Sequence, residues 1–246
     1  SLDAVDTALI EVNSSHKVRL VTAKEYALPD ATRQDIMNVA SGSEDSLHAV
    51  ASLDQQLARL YAESVLSLLN EHDINTGDIQ AIGSHGQTVR HAPDNTPPFS
   101  VQLGNGALIA RLTGIKTVND FRQADIAAAG QGAPLAPLFQ HHLFHEHQAT
   151  VVGLNLGGIA NISILHADGT IRGFDTGPAN TLMDQWISHH YQMRYDEDAQ
   201  WAKSGCLDND LLNNLLSEPW LNTPPPKSTG PELFNLAWLK SQLPDK

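Results

Sequence analysis

The sequence predicts an α/β protein in two parts, each a sheet with helices packed on it. Three observations carry this. Strand-like and helix-like segments alternate along the chain, which favours helices laid on sheets. A strand, turn, strand arrangement occurs twice, once at the amino end and once just past residue 150. Between them, Ala127-Ala128-Ala129-Gly130-Gln131-Gly132-Ala133-Pro134 is small, Gly-rich and reads as a linker. The expected parts are therefore residues 1–132 and 133–246.

Each element has a local reason. Residues 8–12 and 18–21 carry β-branched side chains on both sides of the polar turn Asn13-Ser14-Ser15-His16, which predicts a hairpin. Over residues 46–72, Leu47, Val50, Leu53, Leu57, Leu60, Tyr61, Val65, Leu68 and Leu69 step by three and four, one face of a long helix. Residues 79–83 read as a short buried strand ending at Ser84-His85-Gly86-Gln87-Thr88. Residues 99–103 are a strand, 107–112 a short helix, and 116–119 a strand running into Asp120-Phe121-Arg122. After the linker comes a helix-like stretch to Phe144, then strands over 150–154, 159–165 and 170–174. Helices follow over 180–191, 208–216 and 232–243, with Pro224-Pro225-Pro226 as a break.

Composition narrows the function. Apolar residues are 41% of the 246, enough for a substantial core. Fifteen basic against 28 acidic residues give a net charge of −13, which repels nucleic-acid backbones and anionic lipid headgroups. Neither nucleic acid nor a membrane is an expected partner, and no apolar run is long enough to span a bilayer. The single Cys206 fits a reducing compartment, so the cytoplasm is the expected location.

Polar groups gather where strands end, the position at which α/β sheets present ligands. Gly153-Leu154-Asn155-Leu156-Gly157-Gly158-Ile159-Ala160-Asn161 places paired glycines in a tight turn between strands. Such a turn allows positive φ and close approach of backbone N–H groups to an anion; the alternative is a plain hairpin turn. Gly173-Phe174-Asp175-Thr176-Gly177-Pro178-Ala179-Asn180 delivers an acid into a Gly/Pro turn ahead of a helix, so Asp175 reads either as a catalytic carboxylate or metal partner, or as a cap of that helix. His85 and Asp120 sit in two clusters at successive strand ends. Arg122 beside them has the planar fork that meets a carboxylate or phosphate, and its alternative is a partner among the acids. His141, His142, His145 and His147 with Glu146 form a patch without the H-E-x-x-H spacing, read as structural or exposed. Gly104-Asn105-Gly106 lacks a dinucleotide fingerprint, and no P-loop pattern is present. Thr223-Pro224-Pro225-Pro226 followed by Lys227-Ser228-Thr229-Gly230 reads as a stiffened loop.

Taken together, Ser1-Leu2-Asp3-Ala4-Val5-Asp6, Gly83-Ser84-His85-Gly86-Gln87-Thr88, Asp120-Phe121-Arg122, the Asn155 to Asn161 segment, Gly173-Phe174-Asp175-Thr176-Gly177-Pro178, Lys227-Ser228-Thr229-Gly230 and Glu232-Leu233-Phe234-Asn235 resemble the anhydro-N-acetylmuramic acid kinase family. The resemblance implies the two-domain actin-like ATPase fold of the sugar kinase, actin and heat-shock ATPase superfamily, with ribonuclease H-like mixed sheets and flanking helices. The first phosphate loop and sugar site would lie in 1–132, and 133–246 would be a second domain truncated at its carboxyl end. The implied reaction opens 1,6-anhydro-N-acetylmuramic acid with water and phosphorylates O6, using ATP and Mg²⁺, with a homodimer as the implied assembly. By the same resemblance Asp175 is the catalytic base. Ser1, Leu2, Asp3, Ala4, Val5 and Asp6 form the first phosphate loop, with Asp3 near Mg²⁺ indirectly, and Gly157 and Gly158 form the second. His85, Ser100, Asp120, Arg122 and Asn155 are implied substrate contacts.

The chain departs from the family pattern at Ala179, where glycine is usual, and at Pro231, where a basic residue is usual. The first phosphate loop begins at Ser1 without the Gly-Thr that usually precedes it, and the family's carboxyl-terminal part is absent, so this chain is expected to bind ATP poorly and to turn over slowly or not at all. Two other readings are a non-catalytic sugar-binding or regulatory module of the same fold and a metal-dependent hydrolase using the histidine patch.

Overall fold

A computed structural model describes residues 4–14, 17–144, 148–230 and 232–243. The chain forms two compact units, residues 1–132 and 133–246, and mixes strands and helices in both.

In unit 1, β1 (Ala4–Val12) and β2 (Val18–Ala27) form an antiparallel hairpin, longer at both ends than the sequence pattern predicts. Val5, Thr7 and Leu9 alternate with more exposed neighbours, so one face of β1 turns inward. Thr7 Oγ1 meets the buried Ser64 Oγ at 2.9 Å, tying the hairpin to the long helix. The next element, α1 (Asp30–Ser41), has no counterpart in the sequence reading. Its apolar signal is thin, resting on Ile36 and Val39 three apart, and Pro29 caps it without a side-chain bond. Gly42 ends it at φ 78°, its N–H bonded to the Val39 carbonyl.

α2 (Leu47–Glu71) matches its periodicity, and the Ser46 hydroxyl caps it by accepting from the Ala49 N–H at 3.2 Å. Its inner residues Leu53 and Leu57 join Leu28, Ile36, Val39, Val89 and Leu103 in one core. β3 (Ile82–Gly83) is shorter than expected and pairs in parallel with β6 (Thr117–Val118). β4 (Gln87–Ala92), not foreseen, pairs antiparallel with β5 (Phe99–Leu103). α3 (Gly106–Thr113) and α4 (Gln123–Ala127) complete the unit. Gly104 at the end of β5 has φ 125°, and a Cβ there would lie 2.5 Å from the ring of Tyr61, so only glycine lets α2 approach.

Where the resemblance implies a mixed sheet, the described strands of unit 1 pair only in twos. A groove of about 1200 Å³, lined by β1 and residues 78–88 with parts of α2, separates the hairpin from β3.

In unit 2, α5 (Ala136–Phe144) precedes the antiparallel sheet β7 (Val151–Leu156), β8 (Ile159–Leu165) and β9 (Ile171–Pro178). α5 lies on the face that carries Gly153, Ser163 and Gly173 in one cross-strand row. A Cβ on Gly173 would meet Pro137 at 2.3 Å, so the missing side chain is what admits the helix. On the opposite face Val152, Leu154 and Leu156 of edge strand β7 are 56%, 61% and 61% exposed. α6 (Asn180–Tyr191), α7 (Asn209–Leu216) and α8 (Leu236–Ser241) follow. α8 is shorter than the expected 232–243, because residues 232–235 turn before it, and Asn235 caps it by accepting from the Trp238 N–H at 2.9 Å. The fully buried Phe234 stacks edge-on against Trp220 and Trp238 at centroid distances of 5.6 and 5.1 Å.

Candidate functional site

Unit 1 gathers part of the candidate set around a cleft of about 290 Å³ lined by His85, Ser100, Gln102, Asn119, Asp120 and Gln123 among others. Residues 84–86 join β3 to β4, which carries His85 to the cleft wall. Its Nε2 accepts from Arg122 Nε at 2.9 Å, and its Nδ1 lies 2.7 Å from the Gly86 carbonyl. Arginine only donates, so the ring proton must sit on Nδ1 and point at that carbonyl. Burial, joined by the neighbouring Arg122 charge, holds this imidazole below its ordinary 6.5, against the opposing pull of the Gly86 bond. Arg122 Nη1 donates to the Gly132 carbonyl at 2.9 Å, so the guanidinium is fixed at two edges. Asp120 is exposed and adopts φ 61°, a left-handed turn that aspartate tolerates.

Ser100 is 1% exposed, and its hydroxyl is engaged by Gln102 Nε2 at 2.7 Å and His91 Nδ1 at 2.9 Å. Gln123 Nε2 donates to the Ser100 carbonyl at 2.7 Å. Gln102, Gln123 and His91 were absent from the sequence reading. Their signal was the polar Ser100 and Gln102 two apart in an otherwise apolar strand, pointing to one face.

Unit 2 sets the other candidates on its sheet. The register pairs Asn155 with Asn161 and Asn161 with Asp175, a polar row across all three strands. Asp175 Oδ2 accepts from the Thr229 N–H at 2.9 Å, and the Asp175 N–H donates to the Lys227 carbonyl at 3.1 Å. Asp175 therefore does not cap α6. That N-cap position belongs to Ala179, and no side chain caps it. Ala179 has φ −122°, outside the left-handed region that favours glycine.

Gly157 and Gly158 form the two-residue turn between β7 and β8, but neither lies at positive φ, and a Cβ on either would meet nothing closer than 3.6 Å. Conformational need is thus not why they are glycine. Their carbonyls instead accept from Ala179, Asn180 and Thr181 at the start of α6, at 2.9 to 3.1 Å.

Ala4, Val5 and Asp6 open β1 and line the large groove of unit 1, while Ser1, Leu2 and Asp3 lie outside the described residues. His145, Glu146 and His147 also lie outside them, and the described residues hold no group of three or more potential metal ligands. Magnesium that arrives with a nucleotide keeps water and phosphate ligands and needs only one or two carboxylates, and Asp6 is an exposed carboxylate at the start of β1. No helix among the described residues is long and apolar enough to cross a membrane.

Comparison with known proteins agrees over the whole length. The family model described as anhydro-N-acetylmuramic acid kinase matches residues 1–246. The anhydro-N-acetylmuramic acid kinase of Vibrio parahaemolyticus is 48% identical over 243 residues, 99% of this chain and 65% of that protein. The Pasteurella multocida protein of the same name is 49% identical over 244 residues, 99% of this chain and 64% of its own length. The Coxiella burnetii protein of that name is 44% identical over 246 residues, again 65% of its length. The chain spans about two thirds of the length of these curated relatives. With its motifs matched from end to end, the chain belongs to the anhydro-N-acetylmuramic acid kinase family.

Proposed function

We propose that the chain acts in an ATP-dependent sugar kinase that opens the 1,6-anhydro ring of anhydro-N-acetylmuramic acid with water and phosphorylates O6. The observation that carries the reading is Asp175, a carboxylate of a family motif held by a main-chain N–H rather than spent on a helix cap. In this reading a water oxygen bonds to the anomeric carbon as the C1–O6 bond breaks. Asp175 takes a proton from that water. The freed O6 attacks the γ-phosphorus, whose bond to the ADP oxygen breaks, giving the sugar 6-phosphate and ADP. A carboxylate suits water attack on a carbon gaining oxocarbenium character.

Arg122 fits the lactyl carboxylate of this sugar, because His85 fixes its fork. His85, Ser100, Asp120 and Asn155 are the remaining proposed contacts. The backbone of the first loop, Ser1 to Asp6, and of Gly157 and Gly158 would receive the ATP phosphates. Asp3, through water, would hold Mg²⁺, which when bound neutralises phosphate charge during transfer. We further propose the two-domain actin-like architecture, a cytoplasmic location and a homodimer. The family match and the division into two compact units support the first of these.

The test follows ADP and sugar 6-phosphate together from ATP, Mg²⁺ and the anhydro sugar. Asp175→Asn is expected to lower turnover by about a hundredfold or more while sugar binding by calorimetry stays within about threefold. Arg122→Ala is expected to weaken binding by about tenfold or more. Sugar binding without either product, both in this chain and in a version extended at both ends, would replace this reading with a binding module.

A further inference from the structure

Three observations in unit 2 converge on the space around Asp175. Thr229 donates its main-chain N–H to Asp175 Oδ2 at 2.9 Å, yet its own Oγ1 is buried with no hydrogen-bond partner. Asn161 stands opposite Asp175 in the β8–β9 register, and its Oδ1 is likewise buried without a partner. Paired positions across antiparallel strands bring Cβ atoms to about 5 Å, so both orphaned oxygens belong to residues touching or facing the same carboxylate. A buried oxygen left unpaired is costly, and two beside one acid mark a place where a small polar molecule completes the bonding.

The loop that supplies Thr229 is held in place. The Lys227 carbonyl accepts from the Asp175 N–H, and Lys227 Nζ donates to the Leu221 carbonyl at 2.8 Å while resting 4.3 Å above the Trp220 ring. The Gly230 carbonyl accepts from the N–H groups of Leu233 and Phe234 at 3.2 and 3.0 Å, which fastens the loop to the buried Phe234. Lys227-Ser228-Thr229-Gly230, which reads in sequence as a stiffened loop, is thus bonded to the candidate base from two sides.

We propose that Thr229 and Asn161 are water-positioning residues, whose side chains hold the attacking water against Asp175. This rests on Asp175 being the base. A water that gives one proton to Asp175 keeps its second as the O–H of the new anomeric hydroxyl, and an oxygen at Thr229 or Asn161 accepts a hydrogen bond from it. The lone pair then points in one direction rather than rotating freely.

Thr229→Val keeps the size and the main-chain N–H but removes the hydroxyl. It is expected to lower kcat by about tenfold or more with KM within about twofold, since one bond to the reacting water is lost. Thr229→Ser restores the hydroxyl and is expected to return kcat to within about threefold of wild type. Wild-type kcat in Thr229→Val overturns the proposal, and so does an equal loss in Thr229→Ser, which would mark a packing role. A second measurement is independent of turnover. A high-resolution crystal structure of the wild-type chain is expected to show an ordered water within about 3.2 Å of Thr229 Oγ1 and of the Asn161 amide, absent from Thr229→Val. Its absence from the wild type overturns the proposal. Undiminished turnover in Asp175→Asn overturns the reading of the base, whatever the water does.

Discussion

His85 and Arg122 show how one proton decides the geometry of a cleft. The arginine can donate to Nε2 only while the imidazole is neutral, and burial together with the Arg122 charge favours that form. His91 is depressed by the same two causes, against the pull of Asp94. Both groups bind fewer protons folded than unfolded between their folded values and 6.5. Their contribution to stability is full above 6.5, falls as pH drops through that window and changes no further below the folded values. Melting temperature measured from pH 7.5 to 5 is expected to decline on the acid side, and a His85→Gln/His91→Gln variant to decline less. At this scale the sequence is informative where chemistry is local: the guanidinium of Arg122 and the carboxylate of Asp175 mark themselves as candidates by what their side chains can do. The bond from Thr229 to Asp175 was beyond its reach, because the partners are 54 positions apart and meet only through folding.

Among the elements, legibility followed the strength of the periodic signal. α2 buries seven residues on one face and was read nearly to its ends, whereas α1 buries two and was not read. β4 was hidden for a different reason: Gln87, Thr88, Arg90 and His91 are polar, and it is a strand because β5 pairs with it. The place of Asp175 before α6 reads in sequence as a helix cap or as a catalytic carboxylate or metal partner, and the strand continuing to Pro178 removes the cap. Close packing of elements rests on side chains that are absent. Gly104→Ala would press a methyl into Tyr61 at a φ of 125°, and we expect it to destabilise the chain by about 2 kcal/mol or more. Urea unfolding followed by tryptophan fluorescence measures this, with Gly114→Ala, at φ 72° where a Cβ meets nothing within 4 Å, as the case of positive φ without a clash.

On the scale of the whole molecule, the acidic surface is interrupted at β7. Val152, Leu154 and Leu156 form an exposed apolar row on a strand with one edge unpaired among the described residues. Such an edge templates pairing with other chains, and charged side chains are the usual defence. Leu154→Lys is expected to raise the concentration at which light scattering first grows. An unchanged onset would mean that association runs through another surface. Negative charge distributed over the chain opposes the same association, so added salt is expected to advance it.

The hairpin turn that seats its carbonyls on α6 also sets the order in which this region opens. The amides of Ala179, Asn180 and Thr181 are sealed by Gly157 and Gly158 and by no side chain. Their exchange with deuterium should therefore report the β7–β8 hairpin rather than the helix they begin. Fraying of the hairpin would release all three at one rate, making the start of α6 a clock for a hairpin turn more than twenty residues earlier in the chain.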